Sequence, residues 1–149
     1  MVDQTLQGAG KEYEAEIAGT DFTALRDEYV LDLTKAYDCP NLKSYIRKFV
    51  YDRTGTGSLS IEDRFELKNA GSFESAIITL ANWQENGGKT LKLSGKQHTV
   101  NVKIETSSPK GYTLIPEKIQ ENGPEFSRIG IRLNEKIKTG YIRVFFKVE

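Results

Sequence analysis

The feature that most restricts the fold of this chain is the alternation of apolar and polar residues in several short runs. Within residues 58–68, the apolar residues occupy one parity, and Asp63 is the single polar residue among them. The same period recurs in three later runs, at 100–104, 129–133 and 142–148. A period of two places one face of a β-strand against a core and the other toward solvent. The pattern therefore predicts β-strands along most of the chain.

Residues that favour turns separate these runs. Thr54-Gly55-Thr56-Gly57 is typical of a hairpin turn, and further turn segments occupy 86–88, 94–97, 107–111 and 122–124. No segment has a clear helical period, and residues 11–17 alternate in a way that favours an edge strand. Strands about 10 to 15 residues apart with Gly or Pro between them predict an all-β, antiparallel β-sandwich of about nine to eleven strands with little or no helix. Residues 1–149 are expected to form one such domain.

The charge balance excludes some classes of partner. Lys plus Arg and Asp plus Glu both number 21, so the formal net charge is zero. Proteins that bind nucleic acid normally show a basic excess, so no nucleic-acid partner is expected. No apolar run approaches the roughly 20 residues of a membrane-spanning helix, and residues 1–4 lack the features of a signal peptide. Two locations are therefore expected as alternatives: the chain is cytoplasmic, or it is a piece of an exported protein whose signal peptide is not included.

Few residues could carry chemistry. The chain has one cysteine, Cys39, and one histidine, His98, so an internal disulfide is impossible. Zinc sites need three or four suitable ligands, and no Gly-x-Ser-x-Gly segment accompanies His98. We therefore predict no metal, no cofactor and no catalytic residue.

Three segments in the first part of the chain resemble one enzyme family. Residues 7–15 read Gln-Gly-Ala-Gly-Lys-Glu-Tyr-Glu-Ala, residues 32–37 read Asp-Leu-Thr-Lys-Ala-Tyr and precede a strand at 42–49, and residues 59–65 read Leu-Ser-Ile-Glu-Asp-Arg-Phe. In this order and spacing they resemble the sandwich region of the heparinase II/III-like polysaccharide lyases. The resemblance covers about the first 70 residues, and beyond them only the strand pattern is similar.

The resemblance implies that the chain is the C-terminal β-sandwich portion of a longer polypeptide, with residues 1–27 as a possible part of a preceding sandwich. In such lyases, a helical toroid supplies the catalytic tyrosine, and a histidine-asparagine pair lies just upstream of the segment matched here. No catalytic residue of the family therefore transfers to this chain. The parent would eliminate across uronate polysaccharides and would be periplasmic or secreted. The implied partners are the upstream catalytic domains of the same polypeptide and an acidic polysaccharide.

Two other classes of function stay open. In a stand-alone carbohydrate-binding module, Trp83 with Tyr51 or Tyr112 would form an aromatic platform for sugar rings, and Arg47 would contact anionic sugar. Trp83 and Arg47 are the candidate substrate-binding residues, although a structural ion pair is the simpler role for Arg47. In a structural docking module, the chain would only support a partner domain.

A portion of a longer protein should leave its N-terminal apolar residues uncovered. We expect Val2, Leu6, Tyr13 and Ile17 to be exposed, and residues up to Gly19-Thr20 to be mobile or to form a homodimer. A natural stand-alone module should instead have this stretch folded back.

Overall fold

The computed structural model describes residues 1–87, 90–120 and 122–149. The described chain is built of eleven β-strands, with a single 3-10 turn at Thr34–Ala36. The strands are β1 Glu16–Phe22, β2 Arg26–Asp32, β3 Leu42–Asp52, β4 Ser58–Gly71, β5 Glu74–Thr79, β6 Asn82–Glu85, β7 Thr90–Ser94, β8 Thr99–Thr106, β9 Tyr112–Ile119, β10 Phe126–Leu133 and β11 Ile137–Val148. No helix in the described ranges could span a membrane.

The strands form two antiparallel sheets. The large sheet has eight strands in the order β1-β2-β3-β4-β11-β8-β7-β6, and the small sheet has three in the order β5-β10-β9. All neighbouring strands pair antiparallel. The predicted fold class, an all-β antiparallel sandwich-like domain with about nine to eleven strands, is confirmed.

The core lies between the inner faces of the two sheets, and it follows the alternation of the sequence. Val102 and Ile104 of the large sheet are buried, as are Ile129 and Ile131 of the small sheet. Phe73, which precedes β5, is also buried, and its ring stacks on Phe65 of β4 with centroids 4.0 Å apart and planes 10° apart. The small sheet is therefore fixed over β4 by an aromatic contact.

Some strand boundaries differ from the sequence prediction. The predicted edge strand at 11–17 is β1, which begins only at Glu16, because Tyr13 N donates to Gly10 O at 3.2 Å and forms a turn. The apolar run at 76–83 is split, since β5 belongs to the small sheet and β6 to the large sheet. Of the predicted turn at 86–88, Gly88 lies outside the described residues.

The expectation that Val2 is uncovered is wrong. Val2 is fully buried and bridges to Phe73, because the main chain of residue 1 forms hydrogen bonds with Glu74. Leu6 and Ile17 are exposed, at 67% and 66%, as expected, whereas Tyr13 is half-buried. The first residues of the chain are thus folded back onto the start of β5, which is the arrangement expected of a stand-alone module.

Candidate functional site

The best-connected polar cluster lies between the two sheets, and it begins with Arg47 and Asp63. These residues face each other across β3 and β4. Arg47 donates from Nε to Oδ1 of Asp63 at 2.6 Å and from Nη2 to Oδ2 at 2.8 Å. Asp63 is 1% exposed, and the side chain of Arg47 is 29% exposed. The single polar residue on the apolar parity of residues 58–68 is therefore a bidentate ion-pair partner.

Two further side chains complete this cluster. Ser75 of the small sheet donates its hydroxyl to Oδ2 of Asp63 at 2.5 Å, and Arg47 Nη2 donates to the hydroxyl oxygen of Tyr45 at 2.9 Å. Burial lowers the pKa of Arg47, but the hydrogen bonds that its guanidinium donates to Asp63 outweigh this effect, so the pKa is raised. Burial also raises the pKa of Tyr45 well above its usual value. The phenol therefore stays protonated at neutral pH, and its side chain is 1% exposed.

A second cluster lies on the outer face of the small sheet, around Glu74. Its carboxylate is 2% exposed, and it accepts bonds from Arg128 Nη2 at 2.5 Å and from Arg132 Nε at 2.9 Å. Gly130 lies between the two arginines on β10. A Cβ atom there would be 2.7 Å from Oε1 of Glu74. The absence of a side chain at this position makes room for the carboxylate. Glu74 is thus paired with arginines of its own cluster, as Asp63 is paired with Arg47.

The outer face of the large sheet carries a groove of about 410 Å³. Its cationic lining residues are Arg26, Lys48, Arg64 and Arg143. The Arg143 guanidinium lies 5.6 Å from the ring centroid of Tyr141 and 5.8 Å from that of Phe145. Guanidinium groups beside aromatic rings are suited to contacts with anionic sugars.

One carboxylate, Glu62, pairs with two of the three arginines of this groove. It accepts from Arg64 Nη2 at 2.9 Å and from Arg143 Nε at 2.6 Å. Burial acts to raise the pKa of Glu62, but the hydrogen bonds from Arg64 and Arg143 lower it. Sequence reasoning missed the groove, although a signal existed. Tyr141, Arg143 and Phe145 alternate along β11 and therefore share its outer face. Only the opposite, apolar face of this strand was considered from the sequence.

The two predicted substrate-binding residues lie far apart. Arg47 is on β3 and Trp83 is on β6, five strand positions away in the large sheet, which corresponds to roughly 24 Å. Trp83 and Tyr112 are both partly buried against the core. Tyr51 is on β3, 46% exposed, beneath the guanidinium of Arg53. The structure therefore does not bring Tyr51 to Trp83, and it places Arg47 in an ion pair.

Cys39 and His98 do not meet other reactive groups. Cys39 is buried with a free thiol, whereas His98 is exposed in the turn between β7 and β8. Within residues 1–87, 90–120 and 122–149, no three His, Cys, Asp or Glu side chains are grouped closely enough to hold a metal ion.

The fold and these clusters define an antiparallel two-sheet domain whose buried charges are paired with each other. Its arrangement is similar to part of the heparan sulfate lyase HepC from Pedobacter heparinus, with a TM-score of 0.66 and 12% identity, covering 91% of this chain and 22% of that one. It is similar to part of a heparinase III, with a TM-score of 0.65 and 11% identity, covering 90% of this chain and 21% of the other. A further heparinase III matches with a TM-score of 0.67 at 13% identity.

At such identities the likeness concerns the fold. The chain spans about a fifth of the length of the lyase chains that it matches. No protein-family profile matches the sequence. No curated protein matches it either. The predicted resemblance to the sandwich region of heparinase-type lyases is thus confirmed at the level of structure.

Proposed function

We propose that this chain is a non-catalytic β-sandwich portion of a heparinase II/III-like polysaccharide lyase. One observation carries the proposal: nearly the whole chain, 91%, matches only 22% of a lyase chain. The three sequence segments at 7–15, 32–37 and 59–65 support it, because they resemble the same family independently of the structure. In this proposal the chain is the C-terminal portion, the parent is periplasmic or secreted, and the parent eliminates across uronate polysaccharides.

The chemistry of the chain supports an inactive portion. Elimination needs a base, a group that neutralises the uronate carboxylate and an acid for the leaving oxygen. Tyr45 is buried with a raised pKa, and Arg47 is already bound to Asp63. Arg128 is bound to Glu74 in the same way. Tyr45, Arg47 and Arg128 therefore stabilise the fold.

The test compares this chain with the longer reading frame around it. The purified chain is incubated with heparan sulfate, alginate and other uronate polymers, and the ultraviolet absorbance of the unsaturated product is followed. We expect no turnover by the chain, and turnover by the full reading frame, with a His-Asn pair encoded shortly before Met1. Turnover by the chain alone, lost on replacing one of its tyrosines, would contradict the proposal. So would a stop codon immediately upstream.

A stand-alone module that binds acidic polysaccharide is the second candidate. The groove with Arg64, Arg143 and Phe145 favours it, because it combines cations with aromatic rings on an exposed sheet face. Trp83 and Arg47 remain predicted sugar contacts for this candidate. Calorimetric titration with heparan sulfate oligosaccharides tests it.

The matched variants are Arg143→Ala in the groove and Lys118→Ala, an exposed lysine paired with Glu125 outside it. A binding module should lose affinity at least about tenfold with Arg143→Ala and keep it with Lys118→Ala. Equal losses in both variants would indicate nonspecific attraction, which favours the structural role.

A further inference from the structure

The inner face of the large sheet extends beyond the small sheet. Ile61 of β4 lies opposite Val144 on one side and Phe49 on the other, so all three face the same way. Val144 is buried in the core, whereas Phe49 and Ile61 are only partly buried and are not among the side chains packed on it. We call the apolar residues in this region the open patch: Tyr29, Phe49, Tyr51, Leu59 and Ile61.

The open patch is uncovered because of where β5 runs. Phe73 stacks on Phe65, and two residues later Ser75 donates to Asp63, so β5 runs along β4. Because β5 is an edge strand of the small sheet, nothing in that sheet lies beyond it, over β3 and β2. At the other end of β3, Phe73 packs edge-on against Tyr45, which is 1% exposed, and the buried Val2 bridges to Phe73. The cover ends where the chain reaches Met1.

The main chain of Met1 is already paired with the free edge of β5. Met1 N donates to Glu74 O at 2.7 Å, and Glu74 N donates to Met1 O at 3.0 Å. This is the reciprocal pair of an antiparallel ladder. In such a ladder, alternate residues point to the same edge, so the N–H and C=O groups of Ala76 and Ile78 point the same way as those of Glu74. A segment extending this pair would run along β5 and above β3.

We infer that the free edge of β5 and the open patch together receive one additional β-strand, contributed by the same polypeptide immediately before Met1. This inference rests on the proposed function, in which the chain is a portion of a longer lyase polypeptide. The Met1–Glu74 pair sets the register. Since Val2 faces the core, the first, third and fifth residues before Met1 face the large sheet. The first lies opposite Ser75, and the third and fifth lie over the open patch and are apolar. The intervening residues face outward beside Ala76 and Ile78.

Two extended forms of the chain test the register. In the in-phase form, Thr-Val-Lys-Val-Thr-Val precedes Met1, which places the valines toward the open patch. In the out-of-phase form, Val-Thr-Val-Lys-Val-Thr precedes Met1, with the same composition and length. We expect the in-phase extension to raise the midpoint of thermal unfolding by several degrees and to slow amide exchange at Ala76 and Ile78 at least about tenfold. The out-of-phase extension should change neither.

A substitution in the open patch tests whether the rise in the midpoint of thermal unfolding depends on this surface. Tyr51→Ser should abolish the stabilisation by the in-phase extension, whereas Tyr141→Ser, on the outer face of the same sheet, should leave it intact. Equal effects of the two extensions would overturn the inference. A dimer of the unextended chain that Tyr51→Ser dissociates would also overturn it, because a second copy would then cover the patch. Neither outcome concerns lyase activity of the full reading frame, so the proposed function is judged separately.

Discussion

The hydroxyl of Ser75 donates to the carboxylate of Asp63, and this contact joins the small sheet to the large one. Asp63 simultaneously holds Arg47 across β3. In the described part of the chain, every buried side-chain nitrogen or oxygen has a hydrogen-bond partner. One carboxylate thus sets the register of two strands and the position of β5 above them.

Removal of this carboxylate should destabilise the protein strongly. Asp63→Ala leaves Arg47 without its ion partner and leaves Ser75 without an acceptor, so we expect a loss of about 3 kcal/mol in the free energy of unfolding. Urea denaturation measures it. The control is Glu66→Ala on the same strand, which breaks an exposed pair with Lys43 and should cost less than about 1 kcal/mol. Similar losses in both variants would show that the buried pair contributes little.

A side chain at position 130 should destabilise the protein. Gly130→Ala places a Cβ atom 2.7 Å from Oε1 of Glu74 and 3.1 Å from Nη1 of Arg128. We expect a cost of about 1–3 kcal/mol, because the buried carboxylate must shift from its arginine partners. Gly19→Ala is the matched control, since its Cβ atom would meet only Val30 at 4.0 Å. Equal midpoints of thermal unfolding for the two variants would contradict this prediction, because they would show that the Glu74 carboxylate can move away from the new Cβ atom without cost.

The contribution of Glu62 to stability should depend on pH. Its folded-state pKa is lowered, because the bonds from Arg64 and Arg143 outweigh the effect of burial. A carboxylate with a lowered pKa stabilises the fold above its unfolded-state pKa and loses that contribution as pH falls through the folded value. Glu62→Gln should therefore be less stable than the parent at pH 7, by less than about 1 kcal/mol. Denaturation curves at descending pH should converge in the acid range, and a constant difference would contradict the ion pairs.

Trp83 offers a direct optical test of sugar contact, because it is the only tryptophan of the chain. Its side chain is partly buried against the core. Under the proposed structural role, heparan sulfate oligosaccharides should leave its fluorescence emission unchanged. Saturable quenching that follows oligosaccharide concentration would instead favour the carbohydrate-binding module. Free iodide, which reports the accessibility of the ring, is the control.

Local features of this fold could be predicted from sequence, since the alternation in β4, β8, β10 and β11 follows directly from burial of one face. Asp63 was visible as an exception to that alternation. Its partners were not, because Arg47 depends on the register of β3 with β4, and Ser75 comes from the other sheet. The order of the strands in the two sheets could not be predicted from sequence either, because any strand with one apolar face can pair with any other.

The N-terminal segment shows the same limit. Val2 looked like a residue left uncovered, yet it pairs with Phe73 through a contact that no local pattern indicates. The candidate groove was missed for a related reason. Arg143 and Glu62 are far apart in sequence, and only the pairing of β11 with β4 brings them together.

The central place of β11 has a consequence for how the chain folds. β11 follows every other strand in sequence, yet it lies between β4 and β8 in the large sheet. Until β11 is synthesised, β1 to β4 and β6 to β8 can form only two separate half-sheets, each with an unpaired inner edge. Such non-local pairing slows folding, and unpaired edges favour aggregation during translation. Slower translation of β11 would prolong the time for which a nascent chain needs protection by a chaperone.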